Sequence, residues 1–165
     1  MNVYRCLRPA VALLGVLVLS CVPPLRCQGD NLLKLEASVE PRRLSRGEAG
    51  KVILKLTVPA GIIISPEPAF LITFEPLPDV VFPKTFFTAS DLGLEVIEDG
   101  AGIRLNVARP VAVPFSVDLE ARRGSHILAG RIKFVARSQA GGWCLKSSAK
   151  FSAPFVTRST VRKKN

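Results

Sequence analysis

Cys144 has the clearest chemical potential in this chain. It follows Gly141-Gly142-Trp143 and opens the run Cys144-Leu145-Lys146-Ser147, the outline of a redox motif in which Ser147 occupies the second sulfur position. A thiol exchanges and attacks as the thiolate, so its reactivity depends on the charges and dipoles around it. In redox motifs of this outline the Cys opens a helix, whose positive end lowers the thiol pKa. Here the flanks read as turn and strand, and Lys146 is the neighbour that favours the thiolate. Two readings stand side by side: an exposed, reactive thiol, or a half-buried Cys that packs as a small apolar residue.

The other candidates carry less. The single His excludes polyhistidine metal sites and leaves any catalytic triad one base. His126 begins a strand pattern with no Ser, Cys or carboxylate at motif spacing, so it is read as a surface residue. Glu98-Asp99-Gly100 is turn chemistry rather than a carboxylate pair. Gly61-Ile62-Ile63-Ile64 lacks the spacing that cradles phosphate. No metal, cofactor, hydrolase site or nucleotide site is predicted.

The compartment is written at the N-terminus. Arg5 and Arg8 precede an uncharged run that includes Val11-Ala12-Leu13-Leu14-Gly15-Val16-Leu17-Val18-Leu19. It is too short for a stable membrane anchor, so residues 1–29 are expected to be a secretory signal. Val18-Leu19-Ser20-Cys21 offers an alternative, a lipoprotein signal over residues 1–20 with lipidation at Cys21. That route keeps Cys21, Cys27 and Cys144, whereas cleavage near Gln28-Gly29 leaves Cys144 alone. Neither yields the disulfide framework that staples small secreted domains.

With 165 residues and 17.8 kDa the chain has room for one core, and 48% hydrophobic residues exclude a disordered basic tail protein. The formal charge is +10. Residues 30–157 hold 16 Lys and Arg against 13 acids, and residues 158–165 form a basic tail. A body this nearly balanced, poor in stacking aromatics, is not expected to bind nucleic acid.

From residue 31 the pattern alternates with period two. Leu33, Leu35 and Ala37 alternate with polar neighbours, as do Val52, Leu54, Leu56 and Val58. Further strands are predicted at 70–74, 94–97, 103–107, 111–121, 126–136 and 150–157, with breakers between them. Arg122-Arg123-Gly124-Ser125 is expected to close a hairpin between Val117-Asp118-Leu119-Glu120 and 128–134. Prolines at 59, 66, 68, 76, 78 and 83 make the stretch 58–87 edge strand and loop, rich enough in Ile and Phe to cover the core. No window shows capped helical periodicity. The fold class is therefore all-β, an immunoglobulin-like antiparallel β-sandwich over residues 30–157.

The succession Pro59-Ala60-Gly61-Ile62-Ile63-Ile64, Val80-Val81-Phe82-Pro83, Gly130-Arg131-Ile132-Lys133-Phe134-Val135-Ala136 and Trp143-Cys144-Leu145 resembles the N-terminal periplasmic domain of the DsbD thiol:disulfide interchange proteins, the disulfide bond corrector family. The resemblance covers about residues 32–157 and implies an immunoglobulin-like sandwich. It also implies two cysteines that relay electrons to periplasmic thiol oxidoreductases. The second family Cys falls on Cys144, whereas Arg137 and Ser138 stand where the first belongs. An aromatic cap loop would shield the site, with Phe86 or Phe87 in that role and Lys84 and Thr85 replacing its acids.

A dithiol cycle needs an attacking and a resolving thiol within bonding reach. One Cys cannot complete it, so the preferred expectation is a partner-binding module, periplasmic or lipid-anchored, linked to thiol-disulfide exchange with an incomplete redox site. The first alternative is an active thiol-disulfide oxidoreductase using Cys144. The second is an immunoglobulin-like adhesive or assembly module acting through exposed sheet edges.

Overall fold

The computed structural model describes residues 32–66, 70–100 and 102–158. The signal segment, Cys21, Cys27 and the tail beyond Arg158 lie outside these residues. Twelve strands follow in order: β1 (Lys34–Glu40), β2 (Arg43–Ser45), β3 (Ala49–Thr57), β4 (Ile62–Ser65), β5 (Leu71–Phe74), β6 (Val80–Val81), β7 (Phe86–Thr88), β8 (Val96–Asp99), β9 (Gly102–Leu105), β10 (Val111–Val117), β11 (Gly124–Ser138) and β12 (Cys144–Arg158). The described residues contain no helix, so the expected all-β class holds.

A four-stranded sheet runs β1-β3-β10-β6. A six-stranded sheet runs β2-β12-β11-β5-β7, with β4 pairing a second stretch of β11. Hairpin β8-β9 stands apart as a two-stranded sheet. The two large sheets are antiparallel except where β12 meets β2 in parallel.

Alternation dictates the packing. Val52, Leu54 and Leu56 of β3 and Val111, Val113, Phe115 and Val117 of β10 are buried, and they meet Leu128, Ile132, Phe134, Phe151 and Phe155 from β11 and β12 in one core. Pro114 is accommodated because β6 pairs with β10 only at Ser116 and Val117, so proline has no ladder bond to lose on that side.

The proline-rich stretch covers the core, as its composition predicts. Phe74 stacks on Phe82 at 4.1 Å and meets Phe87 and Phe151 edge-on. Offset and edge-to-face arrangements of this kind add to the area that the rings bury.

One predicted hairpin is absent. β10 and β11 belong to different sheets, so Arg122-Arg123-Gly124-Ser125 is the corner between the layers. The reason is a local turn. The Asp118 carboxylate accepts the Glu120 amide at 2.8 Å, the Ala121 amide donates to the Asp118 carbonyl at 3.2 Å, and the Asp118 amide donates to the Asp79 carbonyl at 3.0 Å. A side chain that bonds its own backbone ends a strand. The hairpin partner of β11 is instead β12, in register from Gly124↔Thr157 to Arg137↔Cys144.

His126 also departs from expectation. It is 9% exposed, stacked 5.1 Å from Phe155, rather than on the surface.

Candidate functional site

The tip of the β11-β12 hairpin places Cys144. Gly141 and Gly142 adopt φ of 74° and 155°, backbone conformations open to glycine, and let the chain reverse within a few residues. The Ser138 amide donates to the Trp143 carbonyl at 3.2 Å and the Gly141 amide to the Ser138 carbonyl at 3.2 Å, closing the turn. The Gln139 amide donates to the Gly61 carbonyl at 2.9 Å, tying the tip to the chain entering β4.

Cys144 is the first residue of β12 and its thiol is exposed. Of its two sequence readings, the structure supports the accessible thiol. It is flanked by Trp143 and Leu145, which are 43% and 48% exposed. Directly across the ladder stands Arg137. The Arg137 Nη2 donates to the Ile103 carbonyl at 2.8 Å, which docks hairpin β8-β9 against the base of the tip.

The edge of β12 is covered unevenly. β2 pairs with it only at Val156, Thr157 and Arg158. Further up, β1 runs alongside in the same direction: Leu33, Lys34 and Leu35 share a groove with Ser148, Ala149 and Lys150, and Leu35 and Ala37 share the next with Lys150, Phe151 and Ser152. β1 begins at Lys34, so among the described residues no strand accompanies Cys144 and Leu145 on that edge.

The candidate cap residues lie elsewhere. Phe87 pairs with Ile72, which pairs with Ile132 of β11, whereas Cys144 pairs with Arg137. Five residues of strand separate those levels, about 16 Å along the sheet. Phe87 is 3% exposed and belongs to the core, while Phe86 is 50% exposed on the edge strand β7. The register therefore does not bring either ring over the thiol. Lys84 does not face Cys144 either; it pairs with Asp91, whose carboxyl this bond and those from Thr88 bring down to about 2.

A second cluster escaped the sequence reading. Asp79, 4% exposed, accepts the Arg122 amide at 2.7 Å and lies 3.4 Å from the Arg122 guanidinium and 3.4 Å from His126 Nδ1. The Arg122 amide bond leads the contacts that hold the Asp79 carboxyl below its ordinary range. Nε2 of His126 donates to the Arg122 carbonyl at 2.8 Å, since a carbonyl only accepts. Nothing in the spacing announces this, because Asp79 and Arg122 are 43 residues apart. The Asp79 carboxylate and the His126 ring are bonded within the cluster while the Arg122 side chain reaches solvent, so the cluster pins a corner of the fold.

No protein-family model matches the sequence, and no curated protein shows significant similarity to it. Among solved structures, the chain is similar to the seventh ScaB type I cohesin from Pseudobacteroides cellulosolvens, with 11% identity over 79% of this chain and 96% of that one, at a TM-score of 0.40. It is similar to a cohesin module from a Clostridium perfringens family 33 glycoside hydrolase, with 9% identity over 78% and 99% of the two chains, at a TM-score of 0.39. It is also similar to murine CRIg, with 10% identity over 77% and 98%, at a TM-score of 0.30.

Proposed function

We propose that the chain is an exported binding module that docks a protein partner at the Cys144 end of the β11-β12 hairpin. The observation that carries this is the pair of large apolar side chains, Trp143 and Leu145, displayed where β12 begins, ahead of the stretch that β1 and β2 flank. A fold gains nothing from exposing them, and aromatic anchors beside apolar neighbours dominate interfaces. The edge at Cys144 and Leu145 can accept an extended segment of the partner, whose main chain adds hydrogen bonds while Trp143 and Leu145 supply contact area. Of the sequence-based alternatives this is the assembly module.

Thiol exchange is the second reading, favoured by the exposure of Cys144 and by the resemblance to the disulfide bond corrector family. Cys144 as thiolate would attack a partner disulfide, forming a mixed disulfide and releasing one partner thiol. Arg137 occupies the cross-strand position from which a resolving thiol would act.

The test is affinity purification from the exported fraction, identification of the bound protein, and titration of the purified pair. Docking predicts that Trp143→Ala with Leu145→Ala abolishes binding while Cys144→Ser preserves it. Loss of binding in Cys144→Ser alone would replace docking with the exchange reading.

A further inference from the structure

Positive charge is in excess on the larger sheet, with the acid Glu75 just past the end of β5. The six strands of the larger sheet, β2, β4, β5, β7, β11 and β12, contain no Asp or Glu. Arg43, Arg131, Lys133, Lys146, Lys150 and Arg158 stand exposed on them, and none makes an ion pair among the described residues. In the smaller sheet the pattern differs: Lys34 and Lys55 lie 3.1 Å and 3.9 Å from Glu36. Arg131 and Lys150 are direct cross-strand partners, an arrangement of like charges that works against folding. It needs a reason outside the fold.

A row of side chains crosses this sheet. Phe86 pairs with Thr73, Thr73 with Arg131, and Arg131 with Lys150. Residues directly opposite share a face, so a half-exposed ring, a hydroxyl, a guanidinium and an ammonium line up over three strand spacings, about 14 Å. At its Lys150 end the row meets a cavity of about 640 Å³ lined by Lys34, Arg131, Ser148 and Lys150, with Leu33 and Phe134 as apolar walls. That volume lies within the range of pockets that hold small ligands.

We infer that this track binds an anionic polysaccharide, with acidic sugar units held by Arg131 and Lys150 and an apolar sugar face laid on Phe86. The chemistry separates this ligand from other anions. An acidic protein would look for a large apolar anchor packed between the cations, whereas Phe86 stands two strands away from Arg131 and Ile127 four residues along β11 from it. A lipid surface needs apolar groups to insert beside the charges, and the outward neighbours of Lys150 are Arg131, Ser148 and Ser152. Single-stranded nucleic acid wants successive stacking rings, and the row has one. The track is independent of the Trp143-Leu145 tip, so either can fail without the other.

The experiment is affinity electrophoresis of the full chain through gels containing polygalacturonate, dextran sulfate or neutral dextran. Both anionic polymers are expected to retard it, less so as salt rises, and neutral dextran not at all. Arg131→Ala with Lys150→Ala should weaken retardation roughly tenfold or more. Phe86→Ala should weaken polygalacturonate binding while leaving the salt dependence unchanged. Lys51→Ala with Lys55→Ala, on the other sheet, and Trp143→Ala should change nothing. Melting curves confirm that each variant is folded. Unaltered binding by folded Arg131→Ala/Lys150→Ala, retardation by neutral dextran, or no retardation by either anionic polymer overturns the inference. So does tighter binding to polyglutamate, anionic vesicles or single-stranded DNA.

Discussion

The carboxylate of Asp79 lies 3.4 Å from Nδ1 of His126, and with the Arg122 amide it fastens the chain ahead of β6 to the corner leading into β11. One buried acid thereby links the edge of the smaller sheet to the start of β11, one of the two longest strands. Asp79→Ala would leave the Arg122 amide without its acceptor and the His126 ring without its carboxylate neighbour, while the bond from His126 to the Arg122 carbonyl remains. The expected loss is about 2 to 3 kcal/mol, read as a lower denaturant midpoint at unchanged slope.

The same acid gives the stability a pH dependence of defined sign. Asp79 and Asp91 both titrate lower in the folded chain than when unfolded, Asp91 falling from 3.8 to about 2. The unfolded state therefore binds protons first as pH falls, and the stabilisation is present above the ordinary carboxylate range and lost below it. Thermal melts should decline on acidification from about pH 5 toward pH 2. Asp79→Ala should show a shallower decline, and an unchanged slope would remove Asp79 as a source.

The layers, the core strands and the proline-rich cover were legible because burial imposes period two, and Val52, Leu54 and Leu56 of β3 show it plainly. The shortest strands were not, since the three residues of β2 and the two of β6 carry no periodicity. The hairpin assigned to 117–134 failed because Asp118, a turn-former inside an apolar alternation, redirects the chain to the other sheet. Cys144 could be found from its neighbours in sequence. Asp79, His126 and the row from Phe86 to Lys150 could not, because each depends on register across strands distant in the chain.

Register also makes a prediction about sulfur. Positions opposite one another in an antiparallel ladder have Cα atoms about 4.5 or 5.5 Å apart, within disulfide range. Arg137→Cys therefore places a second thiol opposite Cys144. Mild oxidation should link the new thiol to Cys144, read as a disulfide-joined peptide pair by mass spectrometry, and leave a monomer on a non-reducing gel. In the parent chain Cys144 should react with a thiol reagent without denaturant. Both positions remaining free in the folded oxidised variant would contradict the Arg137↔Cys144 pairing.

Gly130 is a tighter constraint than any turn glycine. A Cβ there would lie 2.5 Å from Cζ of Phe151 and 2.6 Å from the Thr73 carbonyl oxygen. The backbone oxygen cannot rotate away, and the Phe151 ring is packed edge-on to Phe74. Gly130→Ala should lower stability by about 3 kcal/mol, measured by denaturant unfolding. A loss no greater than that of an exposed surface substitution would mean the ring moves freely.

β1 and β12 lie side by side and point the same way, so Leu32 sits toward the hairpin tip while Arg158 emerges at the opposite end of the sandwich. Tension applied between those two residues runs parallel to the strands. The β1-β3 and β11-β12 ladders then bear the load in shear, with many hydrogen bonds strained together instead of opening one after another.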